Sequence, residues 1–279
     1  MIVNFFDRNI SYAASFDDAL EKGRCKNHVT YSKQYERGNV NVFTDTHISD
    51  VINHQNDVNV AWVMEPRSYI RDVYAWLSSN HKLFDAVMTH DFELIESISN
   101  GVYLPAMCTM IDSDSIQASH SKSMLCSLIY SDKKQLPGHK LRFSCADKIR
   151  SNNLDVSLCG SGTGVFMDKK SDGLNDFMFS ITIENSKSRG YFTEKILDCF
   201  STQTIPIYWG DSHVWEYFDA EGAILFNSVE ELPEIIAGLS VEKYNSLLSA
   251  AKRNWEICRK EYYSMDRLVA KTINRILDV

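Results

Sequence analysis

No Cys-x-x-Cys pair and no His-Glu-x-x-His run occurs in these 279 residues, so zinc-finger spacing and a zincin helix are both excluded. The seven cysteines (Cys25, Cys108, Cys126, Cys145, Cys159, Cys199 and Cys258) are scattered. An odd number of them, mostly in apolar or amphipathic stretches, argues against a disulfide framework and for reduced thiols in the cytoplasm. Long hydrophobic runs are missing too. Met1–Phe6 is apolar but meets Asp7 and Arg8 at once, too short for a signal-sequence core or a membrane span. The expectation is a soluble, intracellular protein with no transmembrane segment. Excess positive charge is also absent: 29 Lys and Arg against 37 Asp and Glu leave a net −8. That excludes the global field of a nucleic-acid binder. A local basic stretch remains, made of Lys133, Lys134, Lys140, Arg142, Lys148 and Arg150. Internal repeats and low-complexity tracts are lacking.

What is present is an ordinary globular composition, 44% hydrophobic and 24% charged, long enough for one large or two modest domains. Short apolar runs alternate with amphipathic stretches. The runs predict strands at Ile2–Phe6, Val40–Thr44, Val58–Met64, Phe84–Thr89, Met124–Tyr130, Leu154–Leu158, Phe179–Ile183, Ile205–Tyr208 and Ala223–Phe226. Between them the pattern predicts helices at Phe16–Lys22 (with Ser15 as N-cap), Pro66–Ser78, Phe92–Ser97, His139–Ser151, Thr193–Ser201, Val214–Phe218 and Glu230–Leu239. The stretch from Val241 to Leu277 is helical in pattern. This alternation predicts parallel sheets covered on both faces. The polar, aperiodic segment from Ile111 to Ser123 reads as a linker. The expected division is an N-terminal α/β domain over 1–112, a linker over 113–123, a nucleotide-sugar-binding α/β domain over 124–240, and C-terminal helices over 241–279.

In open parallel sheets, ligands bind beyond the carboxyl ends of strands. The most informative such end lies in "FSITIENSKSRGYFTEKILDCFSTQTIPIYWGD", Phe179 to Asp211. Its strand delivers Glu184, Asn185 and Ser186. Gly190 turns the chain, and Thr193 opens a helix whose first turn holds Glu194 and Lys195. A helix N-terminus offers unpaired N–H groups and partial positive charge, suited to a diphosphate. Lys195 adds a full charge, and Glu194 can accept a hydroxyl such as a ribose's. A cap and a surface ion pair would explain single members of this group, but not all of them together.

The same stretch resembles the signature of the α-1,3-fucosyltransferases, glycosyltransferase family 10. That signature reads F-E-N-[ST]-x(4)-Y-[VI]-T-E-K, then a helix and a V/I-P-I/V-x-x-G strand end. Here the residues are "IENSKSRGYFTEKILDCF" and "TIPIYWGD", closest to the shorter bacterial members. Ile183 stands where the family usually has Phe, and Phe192 where it has Val or Ile. The resemblance implies a GT-B-like α/β fold: two Rossmann-like domains whose parallel sheets face each other across a cleft. It also implies that an Arg on the helix after the first C-terminal-domain strand contacts the nucleotide phosphates. Arg142 is the best-placed candidate, and Arg150 is second. Gly160 and Gly162 in "CGSGTG", which is neither a P-loop nor a dinucleotide fingerprint, would let backbone approach the donor; a tight turn serves as well.

In the N-terminal half, "NVAWVMEPRSYI" followed by "LFDAVMTHDFEL" resembles the family's strand–Glu–Pro segment and the strand after it. By that likeness Glu65 is the catalytic base. A carboxylate ending an apolar strand has the raised pKa that role needs. Capping of a helix begun by Pro66 is the competing explanation. His90 is the reserve base, with Asp91 beside it. Asp112-Ser113-Asp114 spells D-x-D, a metal motif in another glycosyltransferase fold, but it sits in the expected linker and reads as a turn. No metal is expected.

The resemblance thus implies an inverting, metal-independent glycosyltransferase. Arg142, Lys195 and the helix start at Thr193 would stabilise the departing diphosphate. Glu184 and Glu194 would orient hydroxyls, with Asn185, Ser186, Tyr191 and the Gly160 turn supporting. The donor would be GDP-fucose and the acceptor a glycan hydroxyl; no cofactor is implied. A rival reading stays open. In it the chain resembles compact bacteriophage relatives and would act in the host cytoplasm, adding a sugar such as arabinose or glucose from a nucleotide-sugar, UDP-linked in one version, to hydroxylated cytosine in DNA. A non-catalytic nucleotide-sugar-binding module is a third.

Overall fold

The computed structural model describes residues 2–6, 30–32, 40–54, 57–117, 121–165 and 167–277. The expected helix at 16–22, its cap at Ser15, and Cys25 lie outside the described residues. The chain divides into two units. One comprises Met1–Met107, Ser188–Tyr191 and Ser264–Val279; the other comprises Cys108–Lys187 and Phe192–Tyr263.

The first unit is built on six parallel strands: β1 (Ile2–Phe6), β2 (Thr30–Ser32), β3 (Val40–Thr44), β4 (Val58–Val63), β5 (Ala86–Thr89) and β6 (Gly101–Tyr103). Their order is β2-β1-β3-β4-β5-β6. Parallel strands covered on both faces read as continuous apolar runs, and β3 is buried at every position. Phe43, Val63, Tyr74, Leu77 and Leu94 centre the core on one face. Asn4, Asn41 and Asn59 occupy matching register across β1, β3 and β4. Their amides bond in series, Asn4 to Asn41 at 2.8 Å and Asn41 to Asn59 at 3.0 Å, so these buried polar groups are satisfied.

The second unit holds five parallel strands: β7 (Met124–Ile129), β8 (Ser157–Cys159), β9 (Phe177–Ile183), β10 (Ile205–Trp209) and β11 (Ile224–Leu225), in the order β11-β10-β9-β7-β8. The fully buried β9 is central. Phe179, Ile181, Ile205, Ile207 and Leu128 form its core with Cys145, Ile149 and Phe226. The main helices are Pro137–Ser151, Glu194–Ser201, Leu232–Ala237 and Val241–Glu261.

Several elements differ from the sequence pattern for local reasons. The helix expected from Pro66 begins at Arg71, because Pro66–Ile70 closes a turn, with Tyr69 N donating to Pro66 O at 2.8 Å. The strand expected from Leu154 begins at Ser157. Asn153 takes φ +50°, and the Leu154 amide closes the preceding helix on Ile149 O at 3.0 Å. Val214–Phe218 is a 3-10 turn, Ser212–Glu216, capped by Asp211. Glu230–Leu239 splits into a 3-10 turn and the helix Leu232–Ala237. The segment read as a linker carries a short helix, Ser113–Gln117. The long C-terminal pattern breaks at Tyr262-Tyr263-Ser264, giving Val241–Glu261 in the second unit and Met265–Ile276 in the first.

Candidate active site

Counted along its own sheet, the second unit has strand order 2-1-3-4-5, with the topological switch between β7 and β9. Connections leave the sheet in opposite directions at that point, and a crevice opens beyond the strand ends. A cavity of about 300 Å³ lies there. Its lining includes Tyr130 and Ser131 after β7, Ile183 at the end of β9, Gly160, Arg142, Lys170, Glu194, Lys195 and Cys199.

Two glycines permit this geometry. A Cβ on Gly138, near the start of the Pro137–Ser151 helix, would fall 1.7 Å from the Glu184 carbonyl oxygen. Only glycine allows that helix to rest on the end of β9, where Gly138 N donates to Asn185 O at 3.1 Å. Gly160 has φ +98°, and its Cβ would fall 2.5 Å from Tyr130 O.

Arg142 is 6% exposed. Its Nε and Nη2 both donate to the Ile183 carbonyl, the former at 3.1 Å, and Nη2 also reaches Asn185 Oδ1 at 2.9 Å. The guanidinium therefore sits on the last carbonyl of β9. Because Arg142 can only donate, Asn185 turns its oxygen toward the guanidinium. Nearby His139 accepts the Leu136 amide on Nδ1 at 3.2 Å. Burial and the cations Arg142, Lys133 and Lys195 push its imidazole down to about 4.

The helix start at Thr193 already holds an internal carboxyl group. Fully buried Glu184 accepts from Thr193 N at 2.9 Å and from Thr193 Oγ1 at 2.6 Å. Burial raises the Glu184 carboxyl, with Lys195 opposing from 3.9 Å. Glu184 thus braces the helix start from inside. Lys195 Nζ reaches Thr193 Oγ1 at 3.0 Å and Glu194 Oε1 at 2.9 Å. Burial works against the charge on Glu194. Lys195 and Lys170 outweigh it and hold that carboxyl well below the usual carboxylate range. Ser186 is buried beside this group.

Lys170 and Asp198 escaped the sequence reading. Lys170 Nζ lies 2.6 Å from Asp198 Oδ2 and 3.6 Å from Glu194 Oε1. Burial works against its charge, but Asp198 and Glu194 raise the ammonium above its ordinary value. Asp198 Oδ1 also accepts from Thr109 Oγ1 and Met110 N, each at 2.7 Å. An aspartate within the apolar run "KILDCF" was the one signal that could have revealed this cluster, since a buried carboxylate needs a partner.

Tyr191 belongs to the first unit, where its ring packs against His90 at 4.8 Å. A second polar group lies at the carboxyl ends of β3, β4 and β5. Asp45 takes φ +39°, and its Oδ1 accepts from Met64 N at 2.9 Å and Glu65 N at 3.3 Å. Half-buried Glu65 accepts the Tyr74 hydroxyl on its backbone carbonyl at 2.9 Å. With the helix starting at Arg71, Glu65 does not cap one begun by Pro66. Arg67 forks onto Asp91 through Nη2–Oδ1 at 2.8 Å and Nε–Oδ2 at 3.2 Å. Asp91 also caps the Phe92–Ser97 helix through Leu94 N. His90 is fully buried, and burial lowers its imidazole to about 4.

Asp112 of the D-x-D triplet accepts from Ser115 N at 2.9 Å and Ser115 Oγ at 3.0 Å, which makes it a helix cap. Among the described residues no group of three His, Cys, Asp or Glu side chains is arranged to hold a metal ion. No helix among them is long and apolar enough to cross a membrane. Arg150 bonds Tyr130 Oη at 3.0 Å and pairs with Asp147.

Two parallel α/β sheets, one with a cation-lined cavity at its switch point, place the chain among glycosyltransferases of the GT-B fold. An α1,3-fucosyltransferase solved with GDP-fucose superposes over 100% of this chain and 90% of its own, at 17% identity and TM-score 0.62. The glycosyltransferase TarM superposes over 85% of this chain and 54% of its own, at 10% identity and TM-score 0.58. A glycosyltransferase from Rickettsia africae covers 99% and 98%, at 11% identity and TM-score 0.57. The C-terminal model of glycosyltransferase family 10 (fucosyltransferase) matches residues 119–259, half of the chain, and the chain belongs to that family. The α-(1,3)-fucosyltransferase FucT of Helicobacter pylori is 33% identical over 73 residues, spanning 26% of this chain and 15% of the relative.

Proposed function

We propose that this glycosyltransferase moves fucose from GDP-fucose to a glycan hydroxyl, with inversion and without a metal ion, in the cytoplasm. The observation that carries the reading is the grouping of Arg142, Asn185, Glu194 and Lys195 at the switch-point cavity of the second unit. An α1,3-fucosyltransferase solved with GDP-fucose, and with GDP, shares this fold. The six described cysteines are free thiols, which supports a reducing compartment.

In this reading Glu65 takes the proton of the acceptor hydroxyl. The acceptor oxygen attacks the anomeric carbon, and the bond from that carbon to the diphosphate oxygen breaks. The electron pair leaves on the diphosphate, whose charge Lys195 and Arg142 offset, with Asn185 supporting. Fixed donors of this kind need no reorganisation as charge develops, and they supply the electrostatic role a metal plays elsewhere. Glu194 takes a ribose hydroxyl. Glu184 acts indirectly, through Thr193 and Lys195. Full burial and a lowered pKa speak for Glu65 over His90 as the base. Ser186, Tyr191 and Gly160 shape the surroundings.

Half of the six basic residues in the stretch from Lys133 to Arg150 are engaged within the chain. Arg142 is buried, Lys148 pairs with Glu230, and Arg150 pairs with Asp147. That favours a glycan acceptor over hydroxylated cytosine. Thermal shift against GDP, UDP and GDP-fucose, with and without EDTA, tests the donor. Stabilisation by GDP and GDP-fucose that EDTA leaves unchanged is the expected result; a preference for UDP overturns the fucose assignment. Glu65→Ala should abolish transfer to glycans while GDP binding persists. Transfer to hydroxymethylcytosine DNA instead would revive the rival.

A further inference from the structure

The cavity holds two ammonium groups, but only Lys195 belongs to the motif. Lys170 comes from a separate segment, Lys170–Gly173, which the sheet itself anchors. Ser127 Oγ of β7 donates to Gly173 O at 2.8 Å, and Lys122 Nζ and Thr204 Oγ1 both donate to Leu174 O. Asp198 then fixes Lys170 Nζ at 2.6 Å, and Thr109 and Met110 fix Asp198 in turn. Lys170 is therefore a held cation. It already has a carboxylate of its own, so it is poorly suited to grip a phosphate. Its second contact is Glu194 Oε1, the oxygen that Lys195 also meets. Thr193 Oγ1 lies 2.6 Å from Glu184 Oε2 and also neighbours the Glu194 carboxylate. Both cations thus meet Glu194 on Oε1, at 3.6 and 2.9 Å, and neither of these contacts involves Oε2.

We infer that Lys170 is a positioning residue for nucleoside recognition: together with Lys195 it pins Glu194 by Oε1, so that Oε2 meets the ribose hydroxyls of the donor. The inference rests on reading this cavity as the nucleotide-sugar site. It adds a residue, and assigns it to the ribose rather than the diphosphate. A carboxylate held by two cations on one oxygen has one orientation. Held by Lys195 alone, it can swing about that contact, and the hydroxyl bond loses its geometry.

The test uses calorimetry on the full chain with GDP or UDP, whichever binds tighter, beside the same nucleotide in 2′,3′-dideoxy form. Glu194→Gln sets the reference. Lys170→Met leaves Asp198 without its counter-ion, so Lys170→Met/Asp198→Asn is measured too, with a melting curve for each. Both Lys170 variants should lose about tenfold or more in affinity for the ribonucleotide, and almost nothing for the dideoxy form. Lys170→Arg should recover most of the loss. Equal losses on both nucleotides would mean a general effect on the fold or field, and would overturn the inference. So would no loss in either Lys170 variant while Glu194→Gln still discriminates the two nucleotides. If Glu194→Gln fails to discriminate them, or neither nucleotide binds the wild type, the reading of the cavity falls first and takes the inference with it.

Discussion

His90, the reserve base, has a buried setting in the fold. It follows β5, a position where functional groups gather, yet its ring is wholly buried against Tyr191. Burial lowers its pKa from 6.5 to about 4. Between those values an unfolded chain binds a proton that the folded one refuses, so stability rises with pH across the window and is lost as pH falls from about 6.5 to 4. The full difference is about 3 kcal/mol. Urea unfolding of the wild type and of His90→Phe, from pH 7 down to 4, should show the variant losing less over that range. Parallel slopes would mean that other groups carry the acid sensitivity; His139, lowered to about 4 as well, is the first to examine. The motif residues Glu184, Asn185, Thr193, Glu194 and Lys195 were legible because they lie within one strand–turn–helix, where spacing in sequence maps directly onto spacing in the fold. Lys170, Asp45 and Arg67 were not. Each reaches its partner from a different connection, and nothing in a polar run such as "DKKSDG" distinguishes a buried lysine from a solvated one.

At the level of elements, apolar runs located most strands because a parallel sheet buries both faces and leaves little ambiguity. What escaped was short or governed by turns. β6 is three residues of edge strand, Gly101–Tyr103, below the length at which a run is visible. The late start of β8 depends on Asn153 adopting a left-handed conformation, which no periodicity announces. The end of β8 also carries a testable constraint. Gly160 combines φ +98° with a Cβ position 2.5 Å from Tyr130 O, whereas Gly164 has φ +78° and nothing within 4 Å. Backbone strain of this kind costs on the order of 1–3 kcal/mol, and only Gly160→Ala adds a collision with the end of β7. Gly160→Ala should therefore destabilise the second unit more than Gly164→Ala, by about 1 kcal/mol or more, and should weaken GDP binding because the cavity wall moves. Equal effects in denaturant titrations, with GDP affinity unchanged in both, would show that the close approach is unimportant.

For the molecule as a whole, the chain's path matters more than its composition. The first unit takes back Ser188–Tyr191 midway through the second, and the helix Met265–Ile276 after it. A pattern of helical residues from Val241 onward cannot reveal that its two halves part company at Tyr262–Ser264. The returning helix contributes Val269 and Ile273, both fully buried, while the switch-point cavity is lined by residues of the second unit alone. Perturbations of the two should separate. Ile273→Ala removes a buried side chain at a cost of about 3 kcal/mol. Followed by hydrogen exchange, it should speed exchange in β3, β4, β5 and Ser188–Tyr191. GDP should instead slow exchange around Tyr130, Gly160 and Glu194–Cys199, whether or not Ile273 is replaced. Opening free energies differ between cooperative units of one chain, and exchange resolves them by segment. If Ile273→Ala loosened the cavity segments equally, the two units would open as one body. Residues far from the motif in sequence would then set donor affinity through stability alone.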